Sequence, residues 1–252
     1  MSKTTIIIQA RIGSKRFPRK VISKIQGEYM ISHIINRTKC VKAVNQIILA
    51  TTKKDEDKIL LDIAKNQNIF SFAGDEKDVL KRYFLAAEKF NADPIIRITG
   101  DCPLCDPKII QKLIKIFNEK KIDYVSNRII PTFPDGLDVE IFSFKALKKA
   151  EKEAKLQSER EHVTPYIYNN KKKFSIFNVK NKKDLSLFRW TVDEKKDLVF
   201  VKKIFEAMEP KKIFFMKDVE KVLKENPEFI KINNHISRDE GYLISKKSDE
   251  KI

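Results

Sequence analysis

The sequence predicts an α/β protein: a mostly parallel sheet with helices on both faces. Three observations carry that expectation. Short uncharged runs rich in β-branched residues recur, beginning with Thr5-Ile6-Ile7-Ile8-Gln9-Ala10, as strands buried on both faces require. Segments with helical apolar spacing separate these runs, and a β-α-β-α order implies right-handed crossovers. The 252 residues suffice for one large domain with a substantial core.

The first strand opens into Arg11-Ile12-Gly13-Ser14-Lys15-Arg16-Phe17-Pro18-Arg19-Lys20. Five cations with a Gly and a Ser after a buried strand suit a phosphate grip, because backbone N–H groups can approach the anion. A solvated basic loop has the same composition. A helix is expected from Tyr29 to Val41, a strand at Gln46–Thr52 and a helix over Asp55–Asn66 with Ile59, Leu60, Ile63 and Ala64 on one face. Asn68–Phe72 is the third strand and ends at Ala73-Gly74. A helix from Glu76 to Asn91 and a strand at Pro94–Thr99 follow. Ligands of such sheets sit beyond the carboxyl ends of the strands, so informative residues should lie there.

The second half is less regular. Asp123–Ser126, Leu137–Phe142, Phe174–Val179 and Phe188–Val192 read as strands. Phe144–Ala154, Glu159–Asn169, Lys195–Met208 and Met216–Glu225 read as helices, with Pro165 bending or starting the second of these. No internal repeat or low-complexity linker is present. One domain over 1–245, with an inserted subregion around 128–175, is the economical expectation. A charged tail from 246 to 252 is expected to be disordered.

The formal charge of +17 raises the possibility of nucleic-acid binding. The cations are mostly Lys on outer helix faces, such as Lys112, Lys115, Lys148 and Lys149, and no stripes of interleaved aromatic and basic residues accompany them. No nucleic-acid partner is therefore expected, although the charge favours anionic substrates. No apolar run approaches a membrane span and no signal-peptide layout opens the chain, so a cytoplasmic protein without membrane association is expected. An odd number of cysteines, Cys40, Cys102 and Cys105, fits a reducing compartment. Cys102 and Cys105 form a C-x-x-C, but neither Cys40 nor His33, His162 and His235 adds metal-type spacing.

Carboxylates follow two of the strands. Asp101 comes just after Thr99-Gly100, where it would face the ligand crevice. It suits Mg²⁺, which is held by one or two carboxylates plus substrate phosphates. It could instead be a turn residue. Asp106, before Pro107, reads as the cap of the next helix. Asp193 closes Arg189-Trp190-Thr191-Val192-Asp193, either as a helix cap or as a second metal carboxylate.

Gln9 to Val21 resembles the signature loop of the sugar-activating cytidylyltransferases, most closely the spore-coat polysaccharide branch. That branch is related to enzymes making CMP-activated octulosonic and nonulosonic acids. Thr99-Gly100-Asp101-Cys102-Pro103-Leu104 and Thr191-Val192-Asp193 are similar to two further motifs of the family. The resemblance runs from Ile6 to about Tyr242. It departs at Arg19, where the family usually has Gly.

The resemblance implies a Rossmann-like nucleotide-diphospho-sugar transferase fold of the GT-A type. It implies that Ala10, Arg11, Gly13, Ser14, Arg16 and Lys20 wrap the triphosphate of CTP, and that Asp101 and Asp193 hold Mg²⁺. Arg11, Lys20 and Asp101 would be the catalytic set, and Thr51, Gly74, Asp78 and Arg82 would lie beside the nucleotide. Residues for acceptor binding or a dimer-facing lid are expected in the irregular half: Asn127, Asp135, Asp138, Glu140, Arg160, Glu161 and His162. On the residues alone, His162 reads as a general base or as a core histidine bonded to Glu140 or Asp138. The expected activity is transfer of CMP from CTP to a sugar or sugar acid, with pyrophosphate released, by a homodimer. Alternatives are another nucleoside triphosphate, a phosphonate or sugar-phosphate acceptor, a glycosyltransferase on the same fold, or a basic nucleic-acid-binding protein. A glycosyltransferase would normally show Asp-x-Asp after a strand, which Asp101-Cys102-Pro103 does not supply.

Overall fold

The structure, a computed structural model, describes residues 2–238 and 240–249. β1 (Lys3–Gln9) leads through a 3-10 turn at Lys20–Ile22 and a small hairpin, β2 (Lys24–Ile25) and β3 (Glu28–Tyr29), into α1 (Met30–Lys39). The alternation continues with β4 (Gln46–Thr52), α2 (Lys58–Asn66), β5 (Phe70–Gly74), α3 (Val79–Lys89), β6 (Ala92–Thr99) and α4 (Pro107–Lys120). Then come β7 (Tyr124–Ser126), β8 (Glu140–Phe142), α5 (Phe144–Glu153), α6 (Gln157–His162), α7 (Pro165–Asn169) and β9 (Ile176–Asn178). The last described elements are α8 (Lys195–Ala207), α9 (Met216–Glu225) and α10 (Glu240–Asp249).

Seven strands form one sheet in the order β5-β4-β1-β6-β8-β7-β9. All neighbours are parallel except β8, which runs antiparallel to both β6 and β7. Successive side chains of each strand enter opposite layers. Ile6, Ile8, Ile47, Leu49, Ile96 and Ile98 pack with α1, α2, α4, α8 and α9. Ile7, Ile48, Ala50 and Ile95 pack with α3, α5 and α7. Both faces are covered, which is why the strands read as unbroken apolar runs; each fully buried Ile contributes about 1.5–3 kcal/mol.

Four sequence expectations change. Glu159–Asn169 is two helices, not one, because the chain breaks at Val163 (φ 72°) and Thr164, before Pro165 restarts it. Phe188–Val192 is not a strand. Its apolar run instead bridges two loops: Trp190 N–H donates to the Asp135 carbonyl (2.7 Å) and Val192 N–H to the Asp101 carbonyl (2.8 Å). The strand expected over Leu137–Phe142 shortens to β8. The disordered tail expected from residue 246 is helical through Asp249, whose side chain accepts from Ser158 N–H (3.0 Å); residues 250–252 lie outside the described residues.

Candidate active site

The signature loop folds back on the end of β1. Ser14 N–H and Arg19 N–H both donate to the Ile12 carbonyl, at 2.8 and 3.1 Å. Ile12 N–H donates to Asp57 Oδ1 (2.6 Å), and the Thr52 hydroxyl is bonded to Asp57 Oδ2. Asp57 is buried and fastens the loop to the end of β4. Nothing in its charged surroundings, Lys53 to Lys58, marks it in the sequence. Arg19 adopts φ 62°, the left-handed conformation that favours the Gly usual at this position of the resembling family.

Asp101 reaches the loop because Gly100 packs on it. Gly100 N–H donates to the Gln9 carbonyl (2.8 Å), and a Cβ at Gly100 would come 2.8 Å from Ala10 Cβ. Asp106 caps α4, accepting from Lys108 N–H at 2.7 Å, with Pro107 at the first helical position. Cys102 and Cys105 are buried free thiols in the intervening turn. Burial pushes the Cys105 thiol up to about 11, so neither the C-x-x-C nor its surroundings suggest redox chemistry. Cys102 Sγ lies 3.4 Å from Asp101 Oδ1 and helps orient it.

Lys20 joins the loop to both acids. Its Nζ donates to Asp193 Oδ1 (2.7 Å), Asp101 Oδ2 (3.3 Å) and the Val192 carbonyl (2.8 Å). Burial opposes the charge, but Asp101 and Asp193 outweigh it and raise the Lys20 pKa. Burial likewise opposes ionisation of Asp101, yet Lys20, Thr99 and Cys102 hold it down at about 2. Arg16 Nη2 is 3.0 Å from Asp193 Oδ2, and Arg16 Nη1 is 3.1 Å from Glu240 Oε2 at the start of α10. Asp193 is not the cap of α8; Glu194 occupies that position, and Asp197 accepts the N–H of both Asp193 and Glu194 at 2.9 Å. The two acids sharing one ammonium are hard oxygen donors with the cationic loop beside them. That donor set fits Mg²⁺, which needs few protein ligands when substrate phosphates supply the rest. Among the described residues, no group of three or more His, Cys, Asp or Glu side chains is placed to hold a metal alone.

Toward β5 the site holds buried polar groups without partners. Arg82 is buried against Gly74, and its Nε and Nη1 find no hydrogen-bond partner among the described residues; nor does the Thr51 hydroxyl. Arg11, half-exposed, reaches Glu76 Oε1 at 3.4 Å, as Lys54 does at 2.7 Å. Asp78 accepts from Lys81 N–H (2.9 Å) as the cap of α3.

The expected acceptor residues do not form one cluster. Asp78 and Arg160, expected in different subsites, pair with each other at 2.5 Å. Asn127 is buried and spent on Leu137 and Val139 backbone groups. Glu140 is buried in an ion pair with Arg97 and accepts from Tyr124 (2.6 Å) and Thr164 (2.5 Å). Asp138 pairs with Arg238 (2.5 Å), and Asp135 with Arg189 (3.2 Å). His162 contacts neither Glu140 nor Asp138 by hydrogen bond. It faces the Ser245 hydroxyl (3.2 Å) and the edge of Tyr242, and Ser245 also donates to Glu161 (2.8 Å). Of the C-terminal segment Arg238–Tyr242, Asp239 lies outside the described residues. Besides Asp57, a charge that sequence patterns do not single out is Arg189; its one signal is a cation within an apolar run, four residues before Asp193.

No described helix is long and apolar enough to cross a membrane. A spore coat polysaccharide biosynthesis protein of Bacillus subtilis, SpsF, is 26% identical over 235 residues, covering 90% of this chain and 97% of that protein. An uncharacterized protein of Methanocaldococcus jannaschii is 36% identical over 241 residues, covering 94% and 96%. The solved structure of a cytidylyltransferase from Leptospira borgpetersenii serovar Hardjo-bovis superposes with a TM-score of 0.87 at 34% identity, covering 91% of this chain and 97% of that one. With a match to the cytidylyltransferase family over residues 5–236, this chain belongs to that family and is a CTP-dependent nucleotidyltransferase.

Proposed function

We propose that the chain transfers CMP from CTP to a hydroxyl of a sugar or sugar acid, as a step in surface polysaccharide or glycan biosynthesis. The acceptor oxygen attacks the α-phosphorus and gives up its proton to solvent. The bond from that phosphorus to the β-phosphate oxygen breaks, and pyrophosphate leaves with the electron pair. Positioning and charge stabilisation carry such a step.

The observation that carries this reading is the meeting of Lys20 with Asp101 and Asp193. Lys20 and Arg16 of the loop neutralise the two acids. A triphosphate would draw Lys20, Arg16 and Arg11 onto its oxygens and free the acids. Mg²⁺, held by Asp101 and Asp193, would supply charge neutralisation and polarisation at the α-phosphate. The unpartnered Nε and Nη1 of Arg82 support a nucleotide contact near β5, where a single guanidinium donor suits the N3 acceptor of cytosine. The Bacillus subtilis relative's name supports the polysaccharide role. A cytoplasmic homodimer belongs to the same proposal.

The test measures pyrophosphate release with each of the four nucleoside triphosphates, Mg²⁺ and a panel of acidic sugars, following labelled CTP into a CMP-sugar. Release with CTP and an acidic sugar is expected. Release with another triphosphate alone, or none beside steeply salt-dependent retention on DNA, overturns the reading.

A further inference from the structure

Asp193 is held by three cations. Lys20 Nζ lies 2.7 Å from Oδ1, while Arg16 Nη2 and Arg189 Nη2 lie 3.0 and 3.3 Å from Oδ2. Two of these belong to the signature loop and, on the function proposed above, turn to the triphosphate when it binds. Arg189 cannot follow them. Its Nε and Nη2 clasp the two oxygens of Asp197 at 2.9 and 3.1 Å. Its Nη1 donates to Asp135 Oδ2 and to the Ser237 carbonyl, both at 3.2 Å. The Arg189 side chain is 4% exposed and Asp197 is 0% exposed, so the clasp is locked on every side. Asp197 is further fixed by the Asn233 amide (2.9 Å) and by the N–H groups of Asp193 and Glu194. A bidentate guanidinium–carboxylate pair of this kind sets direction as well as charge.

We propose that Arg189 is the positioning residue of Asp193: it retains Oδ2 when the loop's cations leave, so that Asp193 offers Oδ1 alone to the metal–triphosphate complex. The inference rests on the proposed function and adds a selectivity to it. Mg²⁺ demands near-ideal octahedral geometry, whereas Ca²⁺ accepts carboxylates in one- or two-oxygen modes and looser geometry. A carboxylate with one oxygen already engaged suits the smaller ion. Freeing Oδ2 therefore penalises Mg²⁺ more than Ca²⁺. A general loss of structure would weaken both equally.

The experiment measures CTP binding by titration calorimetry with Mg²⁺, with Ca²⁺ and with neither, in the full chain and without acceptor. Arg189→Lys keeps the charge and loses the fork. It is expected to weaken CTP binding in Mg²⁺ about tenfold or more, the usual scale for a lost outer hydrogen bond at a metal site, and in Ca²⁺ far less. Binding without either ion is expected to stay unchanged. Equal losses in both ions, or no loss, overturn the proposal. Should Arg189→Lys fail to fold, Asp135→Asn, which loosens the far side of the guanidinium, is judged by the same ratio with a smaller expected shift. A wild-type chain that fails to bind CTP in Mg²⁺ and in Ca²⁺ alike overturns the functional reading and this inference together; a folded variant indistinguishable from wild type overturns this inference alone.

Discussion

Lys20 and Asp101 stand 81 residues apart in sequence and meet with Nζ 3.3 Å from Oδ2. The contact is one arm of a bridge whose other arm is Asp193, so the ammonium holds two carboxylates that would otherwise repel. Lys20→Met keeps the stem and removes the charge. It is expected to lower turnover about a hundredfold or more, the scale of losing one charged contact at a developing anion. Without divalent ions it is also expected to cost about 1–3 kcal/mol of stability, because Asp101 loses its ammonium and Asp193 one of its three cations. Mg²⁺ should then raise the melting temperature of the variant more than that of the wild type. Equal Mg²⁺ responses in thermal unfolding would contradict the shared-site geometry.

Elements whose signal is local were legible. Gln46–Thr52 carries no charge and no breaker and is β4 residue for residue, with all seven side chains buried. Asp106-Pro107 announces the start of α4 through cap chemistry alone. What local pattern cannot encode is partnership. Phe188–Val192 has the composition of a strand, yet its hydrogen bonds go to the loops at Asp101 and Asp135. Asp78 and Arg160 each fit a plausible local role, and nothing nearby in sequence shows that they pair across 82 residues. The acids at 101 and 193 stand out in the sequence by their place after apolar runs and by resemblance. Arg189, which orients one of them, was hidden by being an ordinary cation in an apolar stretch.

Arg82 carries buried donors that no described residue satisfies, an arrangement that costs stability unless a ligand uses it. Arg82→Leu is therefore expected to leave the melting temperature unchanged or higher. The same variant should lose affinity for CTP and, more specifically, its preference for CTP over UTP, since uracil presents an N3–H where cytosine presents an acceptor. A hydrogen bond from a charged donor typically contributes about 1.5–3 kcal/mol, so the CTP:UTP ratio of kcat/KM should fall about tenfold. A destabilised variant with an unchanged ratio would make Arg82 a structural cation.

The Arg97–Glu140 pair links β6 to β8, and both side chains are nearly inaccessible, at 9% and 1% exposed. Burial disfavours ionisation of Glu140, but Arg97, Arg128 and the hydroxyls of Thr164 and Tyr124 hold its pKa down. Removing one partner leaves a buried charge, so Glu140→Ala is expected to cost about 3–5 kcal/mol. Arg97→Leu with Glu140→Leu should recover most of that loss. Urea unfolding of the single and double variants decides; a cost under about 1 kcal/mol for Glu140→Ala would mean that the pair carries no such coupling.

His162 sets a pH dependence whose sign follows from its surroundings. Burial is the main cause holding its imidazole neutral, with Arg97 and Arg128 adding to it and Glu161 and Glu140 opposing, so that its pKa falls to about 4. In the unfolded chain it titrates near 6.5. Between those values the unfolded state binds the proton and the folded state does not, so stability is lost as pH falls from about 6.5 toward 4 and changes little further below. The loss from this one group is on the order of 2–3 kcal/mol across the window. His162→Asn, which keeps a polar group opposite the Ser245 hydroxyl, is expected to flatten that part of the stability–pH curve while leaving stability at pH 7 within about 1 kcal/mol. Denaturant unfolding at half-unit steps from pH 7 to 4 measures the slope. The same low pKa makes His162 a weak proton acceptor at neutral pH, so a turnover profile with an inflection near 6.5 that disappears in His162→Asn would overturn this account and restore the histidine to the chemistry.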